Sequence, residues 1–241
     1  MVLPQNFLKK ILIKKMDKYN TKLQKIKEKG SIDFIKFNYD GKNIILKLVD
    51  ESDETISLLT QWRMKYRNMF ATDFLINEEK TKKWIKNDIL GNSDKILFVI
   101  YVNKKKIGII SHSNYNEENN SCIMDTMMKD PNFHLPGLMT TIEKIYLKWV
   151  FDEFNLSKIT GFLFSDNENM MNIHTKCGWV ITDVVPIEKI RLNENSDSIW
   201  KKMDSDLKKV KKPLRYFNLI ELDRKNLMKN FKDIKYEVIG N

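Results

Sequence analysis

Long apolar runs are missing from this chain, and so are most of the residues that staple or ligate. No stretch reaches the ~18 apolar residues needed to cross a bilayer. Lys9, Lys10, Lys14 and Lys15 interrupt Ile11-Leu12-Ile13 before a signal-peptide core can form, so a cytoplasmic location is expected. Two cysteines, Cys122 and Cys177, cannot build a secreted disulfide framework, and three histidines leave little for a zinc site; no metal is expected. Proline and glycine are scarce too, five and eight among 241 residues, and no internal repeat is evident.

What is present is enough for a core. Hydrophobic residues make up 42% and aromatics 11%, which excludes a disordered chain although charged residues reach 31%. The length suits one domain with additions or two small ones, stable without disulfides or structural metal. Forty-two Lys and Arg against 32 Asp and Glu leave a net charge of +10, which favours an anionic partner. Nucleic acid, a membrane surface and a phosphorylated small molecule all fit that charge.

Apolar residues Phe7, Leu8, Ile11, Leu12, Met16, Tyr19, Leu23 and Ile26 recur at helical spacing, predicting a basic amphipathic helix over residues 5–29 that packs on its own protein and ends at Gly30. Two strand-like runs flank Asp40-Gly41, a hairpin turn signal. Helices are predicted from Glu54 to Phe70 and from Asn77 to Gly91, then strands Lys95–Val102, Lys106–Ser113 and Ser121–Lys129. Helix Leu138–Phe154, strand Lys158–Phe164, helix Glu168–Lys176 and strand Trp179–Val185 follow. Residues 186–212 read as a charged insertion with little periodicity, before a late strand Leu214–Leu222, a short helix and a final strand. Three consecutive strands exclude a regularly alternating doubly wound fold. An α/β chain of the α+β kind is expected, with a mixed, mostly antiparallel sheet and helices on both faces.

Two stretches carry chemistry. Strand Ser121–Lys129 runs through Asp130-Pro131-Asn132-Phe133-His134-Leu135-Pro136-Gly137 into a long helix, a strand–loop–helix unit whose open amides and positive dipole end suit a pyrophosphate. The second, Ser165 to Trp179, combines Asn167, a short helix, His174, Lys176, Gly178 and Trp179. With the β-β-β-α-β order before it, this resembles the GNAT superfamily of acyl-CoA-dependent N-acyltransferases. Leu48 to Trp62-Arg63 is similar to the GNAT opening, and the resemblance spans about residues 43–185 plus 214–222. It divides the chain into an N-terminal helix and hairpin (1–42), an acyltransferase domain (43–222) with the insertion at 186–212, and a C-terminal helix and strand (223–241).

The resemblance implies acyl-CoA as co-substrate, with no tightly bound cofactor. It lies between strands 121–129 and 158–164, its pantetheine arm pairing with Met127, Met128 and Lys129. Its phosphates meet the loop at His134, Leu135, Gly137, Leu138 and Met139. His134 and Met139 depart from the family's usual residues, and Pro136 lacks an N–H. Asn167 anchors the cofactor or caps the helix. His174 stands where the family places the residue that protonates the leaving thiolate; packing the short helix is the alternative. Asp125, a carboxylate among apolar strand residues, serves as base, holds the amine, or pairs with an unidentified lysine. Trp62, Arg63 and Arg67, with Tyr66, border the acceptor pocket, although core packing also explains Trp62. His112 either faces the cleft or lies exposed at a strand end.

The expected acceptor is an amine on a small anionic molecule. Within the superfamily the chain is most similar to bacterial enzymes acylating a dTDP-linked amino-dideoxyhexose, some with a 3-hydroxybutanoyl group, and the surrounding role would be polysaccharide biosynthesis. Acetylation of a protein N-terminus or an aminoglycoside, and a non-catalytic RNA- or ribosome-binding module, are the rivals. Lys14-Lys15, Lys208-Lys209 and Lys211-Lys212 read as solvated faces rather than a nucleic-acid surface. Homo-oligomeric assembly stays open.

Overall fold

A computed structural model describes residues 18–30, 32–192, 197–204 and 212–239. Residues 5–17 of the expected N-terminal helix, with Lys14 and Lys15, lie outside these, as do Lys208, Lys209 and Lys211. What is described of that helix, α1 (18–28), packs on the body of the protein as expected: Tyr19, Leu23 and Ile26 are buried in the main core.

Eleven strands form one sheet. β1 (Asp33–Tyr39) and β2 (Lys42–Leu48) make a hairpin. Asp40 and Gly41 both take positive φ, 50° and 69°, the geometry whose twist matches a two-residue hairpin. α2 (Asp53–Lys65) follows, capped by Ser52 accepting from the Thr55 amide. It stops five residues before the expected Phe70. A 3-10 turn, Arg67–Met69, replaces its last turn, and Arg215 Nη1 donates to the Asn68 carbonyl at 2.9 Å. The chain then gives β3 (Thr72–Asp73), α3 (Glu78–Lys83) and a π-helical segment, Trp84–Leu90, that ends at Gly91.

β4 (Lys95–Val102), β5 (Lys105–Asn116) and β6 (Ser121–Lys129) form an antiparallel meander, followed by α4 (Leu138–Phe154), β7 (Lys158–Phe164) and α5 (Glu168–Cys177). The order continues through β8 (Val180–Arg191), β9 (Ser198–Lys202), β10 (Arg215–Asp223), α6 (Arg224–Asn230) and β11 (Tyr236–Val238). Across the sheet the order is β11-β1-β2-β4-β5-β6-β7-β10-β8-β9-β3. The mixed, mostly antiparallel sheet with flanking helices is as expected. β6 against β7 is the one parallel pairing among the described residues.

The insertion reading needs correction. β8 runs on to Arg191 and turns back through β9, with Ile187 opposite Lys202 and Arg191 opposite Ser198; β9 in turn pairs with β3. Alternation in this segment is masked by charged residues on its exposed side, while Ile187 is fully buried with Phe164 and Phe217.

Two apolar layers sandwich the central strands. On one face Phe34, Phe98, Ile110, Met124 and Met127 pack beneath α1, α4, α5 and α6. On the other, Leu97, Val99, Ile109 and Met128 meet Ile56, Leu59 and Trp62 of α2 and Ile85 and Ile89 of the π-helical segment. Lys27 of α1 crosses the edge to donate to the carbonyls of Ile89 (2.7 Å) and Leu90 (3.4 Å), capping that segment.

Candidate active site

The parallel pairing of β6 and β7 is short. Ser121, Cys122 and Ile123 face Lys158, Ile159 and Thr160, and no pairing follows. From Met124 to Lys129 the β7-side edge of β6 has no strand partner among the described residues, so its backbone donors and acceptors open into a cleft. A bulge marks the start of that edge. Ser111 lies opposite Thr126 and His112 opposite Met124, leaving Asp125 as the extra residue. Asp125 is exposed as a residue although its side chain is only 27% exposed, so its main chain faces the opening.

The lysine that the sequence could not identify is Lys95, which pairs with the Asp125 carboxylate. Ser111 and Thr126 hydroxyls lie 3.5 and 3.4 Å from the same carboxylate oxygen. Asp125 is thus a bound counter-charge at the cleft, not an isolated buried acid.

At the end of β6 the chain crosses to α4. Gly137, its N-cap residue, has φ +77°, and a Cβ there would lie 2.5 Å from Tyr39 Oη, which donates to the Pro136 carbonyl at 2.7 Å. Only glycine fits this corner. No side chain caps α4; its Leu138 amide donates to the Leu135 carbonyl at 3.3 Å, and the amides of Met139 and Thr140 remain open at the positive end of a 17-residue helix. His134 is exposed, Leu135 half-buried, and Leu138 and Met139 are buried. The last two can therefore reach an anion only through their backbone. A cavity of about 920 Å³ opens beside this corner, lined by Gly137, Thr140, Lys144 and Lys176 and by Lys232 and Lys235 from beyond α6.

α5 starts at Asn167, whose Oδ1 accepts from the Met170 amide at 3.3 Å, so its capping role is present. His174, one turn before the end, is buried. Its Nδ1 lies 2.6 Å from Oε1 of Glu143 on α4, and Trp179 Nε1 donates to that same oxygen at 2.8 Å. Sequence reasoning missed Glu143. The available signal was an acid inside an apolar helical stripe, with Met139, Ile142, Tyr146 and Val150 around it.

On the opposite face the two arginines part company. Arg67 binds Asp73 at 2.5 Å, and Lys189 shares that carboxylate at 2.8 Å. Arg63 is buried, with its guanidinium carbon 4.5 Å from the Trp84 ring centre and 5.2 Å from that of Phe74. Its one hydrogen bond among the described residues goes to Thr81 Oγ1, at 3.3 Å. Burial lowers its pKa to about 10, leaving it cationic at neutral pH. Trp84, expected only as an inward-facing helix residue, and Phe74 and Thr81, absent from the sequence reading, come to Arg63 only through folding.

Two expected pocket residues belong to the core instead. Trp62 is 3% exposed among the α2 contacts, which is the packing alternative. His112, neither exposed nor facing the cleft, lies beneath α4 with Nδ1 2.7 Å from Tyr146 Oη. Strand alternation puts it on the face opposite Ser111.

Residues 43–180, more than half the chain, match the family described as the acetyltransferase (GNAT) domain. The chain belongs to the GNAT acetyltransferases. It is accordingly an enzyme with acyl-CoA as co-substrate. Solved structures agree on the fold. Spermidine N-acetyltransferase from Vibrio cholerae, solved with CoA and spermine, is 12% identical, with a TM-score of 0.60 over 77% of this chain and 98% of that one. A probable GNAT acetyltransferase from Chromobacterium violaceum is 11% identical, with a TM-score of 0.58 over 82% and 90%. No curated protein matches the chain. No helix among the described residues is long and apolar enough to cross a membrane. No group of acidic, histidine and cysteine residues among them could hold a metal ion.

This GNAT chain carries additions at both ends of the matched region. β1 from before it, and β11 with the segment that leads into it from after it, wall the lysine-lined cavity, and the two strands extend the sheet.

Proposed function

We propose that this enzyme transfers an acyl group from acyl-CoA to a primary amine on a small anionic acceptor, most specifically a dTDP-linked amino-dideoxy sugar. The observation that carries the anionic acceptor is Arg63. A buried guanidinium stacked on Trp84 and Phe74, with no carboxylate within ion-pair distance among the described residues and only the more distant charge of Asp88 offsetting its burial, calls for an anion from outside. A polyamine acceptor, as in the Vibrio cholerae enzyme, would need unpaired carboxylates. Here the nearest candidate, Asp125, is paired with Lys95, and the chain as a whole carries +10. The sugar nucleotide and a 3-hydroxybutanoyl donor rest on the family resemblance of the chain's additions.

In this reading the open β6 edge, Met127 to Lys129, pairs with the pantetheine amides. The α4 amides around Gly137 take the pyrophosphate, with Lys176, Lys232 and Lys235 placed for the remaining phosphate. Asn167 holds α5 against the cleft. The acceptor enters from the α2 face, its anion on Arg63, with Arg67 at the rim and its amine near Asp125. The amine nitrogen attacks the thioester carbonyl directly, the carbon–sulfur bond breaks, and His174 supplies the proton that the thiolate takes.

Free-thiol release with a matrix of donors and acceptors tests this. Acetyl- and 3-hydroxybutanoyl-CoA would be paired with a dTDP-amino sugar, an aminoglycoside, a peptide N-terminus and spermidine. Highest kcat/KM on the sugar nucleotide is expected; highest on spermidine overturns the anionic acceptor. Failure of CoA to bind at millimolar concentration in calorimetry overturns the enzyme reading. Salt-dependent RNA binding without thiol release would do the same.

A further inference from the structure

Glu143 is a carboxylate with no exposure at all, in the middle of the apolar stripe of α4. An isolated charge there would be costly, and a carboxylic acid kept only for packing would be replaceable by leucine. Its two oxygens are used unequally. Oε1 accepts from Trp179 Nε1 at 2.8 Å and lies 2.6 Å from His174 Nδ1, while Oε2 has no hydrogen-bond partner. The indole can only donate, so Oε1 accepts from it, and with Glu143 as a carboxylate, an acceptor only, the imidazole nitrogen facing that oxygen carries the hydrogen. Nδ1–H of His174 is thereby assigned.

The other ring nitrogen follows. Nε2 of His174 has no hydrogen-bond partner among the described residues, yet unlike Nε2 of His112 it is not sealed from solvent. One nitrogen is anchored by a buried carboxylate and the other left open, an arrangement that orients an imidazole for proton transfer. A ring serving only to pack α5 against α4 would gain nothing from an open second nitrogen.

We propose that Glu143 is a positioning residue that holds His174 with Nδ1 protonated and Nε2 directed to the departing sulfur. This rests on the reading of His174 as the proton donor. In the step, the protonated imidazole gives its Nε2 hydrogen to the thiolate as the carbon–sulfur bond breaks. The neutral ring keeps Nδ1–H on Glu143. The new amide nitrogen loses its extra proton to water, and water restores the Nε2 proton, so one amine and one thioester become one amide and one thiol. Glu143 neither gains nor loses a proton.

The test is Glu143→Gln, which keeps the oxygen that Trp179 and His174 share but removes the charge. It is compared with His174→Phe and with Trp179→Phe, which leaves the carboxylate–imidazole pair intact. kcat should fall about tenfold or more in Glu143→Gln with the acyl-CoA KM within about twofold of the unmodified enzyme, and far less in Trp179→Phe. Nitrogen NMR of the unmodified enzyme at neutral pH, which depends on no variant folding, should show Nδ1 of His174 protonated. A neutral ring protonated at Nε2 instead overturns the proposal. So does an unchanged kcat in Glu143→Gln when His174→Phe is impaired, in which case the proton-donor reading stands. Unchanged kcat in His174→Phe removes the donor reading itself, and Glu143 then has nothing to position.

Discussion

The guanidinium carbon of Arg63 sits 4.5 Å from the ring centre of Trp84, in a part of the molecule where neither residue is near the other in sequence. Trp84 opens the π-helical segment directly after α3, and its ring lies over the α2 arginine. Arg63→Lys keeps the charge but loses the planar fork and the stacking. The acceptor KM should rise about tenfold or more for a phosphate-bearing amine and little for an uncharged one, with the acyl-CoA KM unchanged. Steady-state kinetics with the two acceptor types checks this; equal effects on both would remove Arg63 from anion recognition.

Asp125 and Lys95 make a second, separable prediction. The pair spans β5, and the bulge turns the Asp125 backbone to the cleft. Asp125→Asn breaks the ion pair while keeping size, and leaves Lys95, whose side chain is 16% exposed, without its counter-charge. The acceptor KM should rise several-fold and the acyl-CoA KM should stay put. A rise confined to acyl-CoA would place Asp125 on the donor side instead.

How far the sequence could be read depended on whether the signal was local. β4, β6, α4 and β7 have the boundaries that periodicity and turn residues predict, because each alternation or helical stripe faces a core on at least one side. β9 was not legible: its residues Ser198–Lys202 alternate weakly, and only pairing with β8 and β3 makes them a strand. In the candidate site, Gly137 and Asn167 were readable from their turn and cap chemistry. The burial of His112 was not, since a polar run around it concealed that one face of β5 is sealed by α4. Glu143, Lys95 and Trp84 are long-range partners, and no spacing rule pairs them with residues 31, 30 and 21 positions away.

Gly137 ties backbone geometry to the proposed donor site. Gly137→Ala places a methyl carbon 2.5 Å from Tyr39 Oη and forces a non-glycine residue to φ +77°. A stability loss of about 1–3 kcal/mol is expected from the strain. The acyl-CoA KM should rise with it, because the open amides of α4 move with the corner. Lys176→Ala leaves the corner intact and, if the cavity takes the terminal phosphate, should narrow the difference in KM between CoA thioesters with and without the 3′-phosphate. Thermal unfolding and the two donor series separate the effects.

His112 gives the last prediction, and it concerns stability rather than catalysis. Complete burial lowers its pKa from 6.5 to about 3, so the folded protein keeps it neutral while the unfolded chain protonates it below pH 6.5. The unfolded state therefore binds more protons throughout that window, and stability falls as pH drops from 6.5 toward 3, by up to ~1.4 kcal/mol per pH unit. The carboxylates of Asp33, held low by Lys36 and Lys47, and Asp73, held low by Lys189 and Arg67, also lose stabilisation on acidification, but only around and below their ordinary 3.8. Between pH 4.5 and 6.5 the histidine term stands clear of those two. His112→Gln keeps a polar partner for Tyr146 Oη and cannot take up the proton. Urea midpoints measured across that range should fall steadily for the unmodified protein and more shallowly for the variant. Parallel curves would mean that the ring is hydrated or protonated inside the fold, contrary to its burial beneath α4.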